Sequence, residues 1–222
     1  MFYDKMTDGT YTLTESISPF YKRNKPQMTD DGNYAVILKA STSISILQRI
    51  SGNLTEIQSI SSPAVVSDIQ FSPTFKFLVF LDSNMDIYIY EKIGSFAFKQ
   101  TINLGTAFAR TIKVTDEAII ATVFSPDILI YKYNGTHFQL DTVFNTPESN
   151  ILYFDILEDL SKVVFTGSST MFIYNLINGT YQQKFTITDP STIQGVTMDE
   201  LGLYYTLITQ TFNVKTYFEC PQ

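Results

Sequence analysis

Two carboxylates and one imidazole are the first residues to weigh for chemistry. Asp68 lies in the apolar run Ala64–Phe71 and Asp155 in the run Ile151–Leu157. Cleaving a glycosidic bond by general acid–base chemistry needs two carboxyl groups held roughly 5–10 Å apart. Asp68 and Asp155 are candidates for such a pair if both runs are equivalent strands around one channel. Otherwise each bonds backbone groups at a strand end. His137 is the only histidine and Cys220 the only cysteine. A nucleophilic triad would have to take its base from His137, which follows Asn134-Gly135-Thr136 and reads as an exposed position. One cysteine excludes an internal disulfide and any multi-cysteine metal site. No phosphate-binding loop, dinucleotide fingerprint, calcium loop or zinc signature is present. The expectation is a chain without catalysis, cofactor or metal.

Three further sites carry modification or binding chemistry. Asn53-Leu54-Thr55, Asn134-Gly135-Thr136 and Asn178-Gly179-Thr180 match the N-glycosylation sequon, although Asn-Gly is equally a turn signal. Phe20, Tyr21, Lys22 and Arg23 form the one concentrated aromatic and basic stretch. It reads as a candidate protein-binding anchor on a loop. The formal charge of −7 argues against a general nucleic-acid surface.

These residues are positioned by short strands. Phe75–Leu81, Ile87–Tyr90 and Phe96–Leu104 are runs dense in aromatic and β-branched residues, broken at Asp82-Ser83-Asn84 and Gly94-Ser95. That pattern describes consecutive antiparallel strands. The unit repeats. Reversals begin at Met28, Phe71, Val114, Leu157 and Met198, and an independent set of turn glycines falls at Gly9, Gly52, Gly94, Gly135 and Gly179. Both series advance by about 43 residues, the length of a four-stranded propeller blade. The chain is therefore read as all-β, a β-propeller with about five blades and a single domain. Its units are 1–17 (partial), 18–61, 62–104, 105–145, 146–187 and 188–222 (partial). The strand before Met28 is expected to be short, because Pro19 and Pro26 remove ladder donors.

The order of each unit, an apolar-Ser-Pro reversal, a strand, Asp-x-x-Ile-x-Ile-Tyr and a glycine turn, resembles the blade of a WD40-type β-propeller. Tyr3-Asp4, Tyr90-Glu91, Tyr131-Lys132 and Tyr174-Asn175 stand where that family has Trp-Asp. Tryptophan and Gly-His pairs are absent. The resemblance implies a scaffold that binds other proteins through its loops, near Ser61–Pro63, Leu104–Thr106, Asn145–Ser149 and Thr188–Ser191. It also implies that Thr10–Ile17 could supply the outer strand of the last blade, giving a closed five-blade ring. Phe2–Lys5 and Phe212–Phe218 then compete for one position, which an arc of a larger propeller avoids.

Two other functions stay open. One is a carbohydrate-binding or glycoside-cleaving propeller using Asp68 and Asp155. The other is a structural segment of a large secreted or membrane-anchored protein. No apolar run reaches the ~18 residues of a membrane span, so no insertion of this segment is expected. The default compartment is the cytoplasm; an extracellular or membrane-anchored location is expected instead if the chain is a fragment of a larger protein.

Overall fold

The computed structural model describes residues 2–5, 11–15, 26–29, 31–105, 109–123, 127–147, 151, 153–199, 201–210 and 213–219. It divides into two compact units, Met1–Asn103 and Leu104–Gln222. Phe20, Tyr21, Lys22, Arg23 and Cys220 lie outside the described residues.

In the first unit, β1 (Phe2–Lys5) and β2 (Tyr11–Glu15) pair antiparallel as a two-stranded sheet. Next come β3 (Gln27–Met28), β4 (Tyr34–Ala40), β5 (Ser43–Ile50) and β6 (Asn53–Ser61), hydrogen-bonded in that order. A second four-stranded meander follows, made of β7 (Val66–Phe71), β8 (Phe77–Asp82), β9 (Asp86–Ile93) and β10 (Ser95–Asn103).

The second unit opens with the meander β11 (Ala109–Val114), β12 (Ala118–Val123), β13 (Asp127–Tyr133) and β14 (Phe138–Asn145). The meander β15 (Tyr153–Ile156), β16 (Lys162–Thr166), β17 (Thr170–Ile177) and β18 (Thr180–Thr188) comes next. The last sheet has three strands among the described residues: β19 (Ile193–Met198), β20 (Tyr204–Thr209) and β21 (Val214–Phe218).

These are propeller blades, and the fold expected from the period is the one observed. The second strand of a blade is buried on both faces, as at β8 and β16, where every residue is buried; this is why it reads as a continuous apolar run. The third strand alternates, as in β9, and the fourth is mostly exposed. Side chains of adjacent sheets merge into shared cores. Val36, Ile44 and Ile60 meet Ile69, Leu78 and Phe80 in the first unit. In the second, Ile120 and Ile130 meet Val163 and Phe165, and Val164 and Ile173 meet Tyr205 and Leu207.

The repeated reversal has a specific chemistry. Its first polar side chain caps the start of the second strand. Ser72 Oγ accepts from Phe77 N (3.0 Å), Thr115 Oγ1 from Ala118 N (2.8 Å) and Thr29 Oγ1 from Tyr34 N (3.1 Å). Asp199 Oδ1 accepts from Leu203 N and Tyr204 N, both at 2.7 Å. Those backbone donors, Tyr204 N first, hold the Asp199 carboxyl below its usual range. Hydroxyl and carboxylate residues recur there because they satisfy donors the ladder leaves open.

Tyr11–Glu15 pairs with Phe2–Lys5, as expected of a third and a fourth strand of one partial blade, and the last sheet keeps three strands among the described residues. One expectation is corrected. The β8 strand begins at Phe77 and not at Phe75, because Phe75 belongs to the reversal with φ +61°. Met28 is preceded by only one further strand residue, Gln27, so the short first strand is as expected.

Gly202 closes the last reversal with φ +64°, and a Cβ there would stand 3.0 Å from Leu157 Cδ1 and 3.1 Å from Lys162 Cδ. Left-handed backbone and overpacking add, so Gly202→Ala is expected to cost roughly 2–4 kcal/mol. Urea unfolding checks it: the midpoint should fall with an unchanged slope.

Candidate functional site

The register places Gln27, Gln70, Lys113, Asp155 and Thr197 at the same point of their first strands, each facing the third residue of the second strand. In the second unit three of them meet. The Lys113 ammonium lies 3.0 Å from Asp155 Oδ1. Thr197 donates its hydroxyl to Asp155 Oδ2 at 3.0 Å, and Met198 N donates to the same oxygen at 3.1 Å. Ile156 N adds a bond to Oδ1 at 3.0 Å. Asp155 thus joins three successive first strands. Both of its oxygens are saturated, so it has no free lone pair aimed at a substrate.

Gln27 acts in the same way in the first unit: its Oε1 accepts from Phe71 N at 3.3 Å. A parallel clasp joins outer strands, where Gln58 Nε2 donates to Phe96 O (2.6 Å) and Gln58 Oε1 accepts from Phe96 N (2.9 Å). In the second unit Glu158 Oε1 accepts from Asp116 N at 2.9 Å; burial pushes its carboxyl above the usual range.

Asp68, the other candidate carboxylate, is half-buried and sits two residues earlier in its strand than Asp155 does in its own. Its Oδ1 accepts from Ile69 N at 2.9 Å. The two residues belong to different units. Each accepts a hydrogen bond from the backbone N–H of the residue that follows it.

One electrostatic cluster carries no sequence signature. Glu219, just after β21, is 11% exposed and receives donors from three strands. Lys162 Nζ lies 3.1 Å from Oε2, Tyr205 donates its hydroxyl to Oε2 at 2.5 Å, and Lys184 Nζ reaches Oε1. Lys162 Nζ also donates to Gly202 O at 2.6 Å. Burial alone would raise the Glu219 carboxyl, but the donors from Lys184, Tyr205 and Lys162 outweigh it and hold it down at about 2. Burial, reinforced by the Glu219 carboxylate, pushes the Tyr205 phenol well above its ordinary value. Nearby, the Lys215 ammonium lies 2.5 Å from the carboxylate of Asp189 in the Thr188–Ser191 loop, and Ser191 N donates to it at 2.9 Å. The Lys215 bond comes first in holding the Asp189 carboxyl low.

The three sequon asparagines are all exposed; Asn134 and Asn178 fall between third and fourth strands, and Asn53 is the first residue of a fourth strand. Asn178 (φ +52°) and Gly179 (φ +77°) form the left-handed pair of a primed hairpin turn. His137 lies in the connection before β14 and is exposed.

The last sheet presents an apolar face that sequence patterning did not single out. Cross-strand pairs Tyr204–Phe218 and Ile208–Val214 lie on one side of it. Tyr204 is 48% and Phe218 52% exposed, with ring centroids 4.9 Å apart.

No family model matches the sequence, and no curated protein does. Among solved structures, 1559 chains match, so the architecture is too widely shared to carry a function. One of them is Kluyveromyces lactis Hsv2 with a complete loop 6CD, a propeller protein. It is 12% identical with a TM-score of 0.64, and the match covers 88% of this chain. The match spans 59% of that protein's chain. At this identity the likeness establishes the propeller fold.

Proposed function

We propose that this chain is a WD40-like propeller protein that binds other proteins and performs no catalysis. The observation that carries the reading is the saturation of Asp155. The residue best placed by sequence for channel chemistry spends three of its four bonds on joining its neighbouring blades and the fourth on its own strand. Structural use of the polar row leaves the exposed surfaces for recognition. Tyr204 and Phe218 are the aromatic pair that fits an interface anchor, since rigid rings give large contact area at low entropic cost.

The test compares proteins captured by the full chain and by the variant Tyr204→Ser/Phe218→Ser, together with binding of both to a glycan array. A defined set of proteins lost from the variant, at an unchanged thermal midpoint, is the expected result. Capture unaffected by the variant would remove these rings from the interface. Glycan binding abolished by Asp155→Asn would overturn the protein-scaffold reading altogether.

A further inference from the structure

We infer that Asn134 is a self-modifying residue, set up to lose its side-chain ammonia through a cyclic imide formed with Gly135. The site is independent of the scaffold reading and uses the one histidine of the chain.

Imide formation requires the backbone nitrogen of the following residue to attack the asparagine Cγ. Asn134 and Gly135 are both exposed, and Gly135 has φ +96° with nothing within 4 Å of where a Cβ would stand. Approach to the Gly135 nitrogen is therefore open on the side where any other residue would carry a side chain. The Asn134 amide is folded forward over this peptide. Its Oδ1 accepts from Thr136 N (3.1 Å), Thr136 Oγ1 (2.9 Å) and His137 N (3.0 Å). When Cγ becomes tetrahedral, negative charge develops on this oxygen, and three donors already point at it. That is the arrangement by which acyl-transfer sites stabilise an oxyanion.

The leaving group is served as well. The His137 ring lies against Asn134 Nδ2, with Nε2 at 3.3 Å and Nδ1 at 3.5 Å, and its Nδ1 is 3.0 Å from Thr136 Oγ1. Imidazole is suited to moving a proton near neutral pH. In the reaction the Gly135 nitrogen bonds to Cγ and its proton is carried by His137 to Nδ2. The Cγ–Nδ2 bond then breaks and ammonia leaves. Water opens the imide at either carbonyl, giving aspartate or isoaspartate at position 134, with no change of oxidation state. The product places a new negative charge on an exposed hairpin.

The chain holds its own control. Asn178-Gly179 has the same dipeptide in the equivalent hairpin, equally exposed, but Asn178 makes no side-chain hydrogen bond among the described residues.

The full chain, produced in bacteria, is incubated at neutral pH. Conversion at the two asparagines is followed by peptide mass spectrometry and isoaspartate methyltransferase labelling. The expected result is conversion several-fold faster at Asn134 than at Asn178. His137→Gln should slow Asn134 several-fold and leave Asn178 unchanged, which serves as an internal check on folding. Gly135→Ala should suppress the reaction at Asn134 alone. Equal rates at the two sites, or an Asn134 rate indifferent to His137→Gln, would overturn the inference.

Discussion

Phe75→Ala is expected to lower stability by about 3–5 kcal/mol, the range for removing a buried aromatic ring. The ring is 5% exposed and sits at the meeting point of two sheets. It lies 4.2 Å from Tyr34 and 4.3 Å from Phe71, centroid to centroid, and 5.0 Å from Phe96. The Lys92 ammonium stands 4.3 Å from its centre and 4.0 Å from that of Tyr34, adding a cation–π contribution. What makes the site unusual is the backbone, with φ +61° on a bulky residue. Equivalent reversals use Gly32 and Gly202 at this point, with φ +68° and +64°, and a second bulky residue, Leu160, with φ +60°. The aromatic contacts hold Phe75 in a conformation it would otherwise avoid by about 1–2 kcal/mol. Phe75→Gly should therefore be at least as stable as Phe75→Ala, reversing the usual order of these two residues. Denaturant melts of the two variants decide it, and an alanine variant more stable than glycine would refute the strain argument.

Glu219→Gln carries the second large effect, about 3 kcal/mol at neutral pH. The Glu219 carboxyl is held at about 2 in the fold against an ordinary value of 4.5, and each pKa unit is worth about 1.4 kcal/mol. A folded-state value below the unfolded one stabilises above the unfolded value. The contribution is thus complete above about pH 5 and disappears as the pH falls toward 2. The difference in unfolding free energy between wild type and Glu219→Gln should be largest at neutral pH and close to zero near pH 2. A difference that stays constant across that range would assign the effect to packing and not to charge.

The period was legible because it rests on local chemistry. Gly52, Gly94, Gly135 and Gly179 all adopt positive φ in the turns between third and fourth strands, and a turn that needs such backbone announces itself by residue type. Strand bodies were equally plain: the run Ile87–Tyr90 lies wholly within the observed strand Asp86–Ile93. Phe75 misled because an aromatic residue next to a strand reads as part of it, and nothing local marks a left-handed bulky residue. The clasps were invisible for a different reason. Gln27 and Phe71, or Asp155 and Met198, are partners 43 or 44 residues apart, and neither member has an unusual neighbour in sequence. The sequence leaves Asp155 open to channel chemistry or to a backbone-bonding role; its bonds to Lys113, Thr197 and Met198, none of them near it in sequence, make it a joint between strands. Glu219 lies in a polar tail with no pattern, and only tertiary packing gathers Lys162, Lys184 and Tyr205 around it.

The clasps also have a direction in time. Phe71 N is satisfied by Gln27, Phe96 N by Gln58 and Met198 N by Asp155. In each case the orphan donor belongs to the later repeat and the acceptor to the earlier one; Asp116 N, served by Glu158, runs the other way. On a ribosome the N-terminal repeat emerges first. In those three joints a newly made blade finds its acceptor already in place, while the blade before it has waited with only a water-exposed side chain.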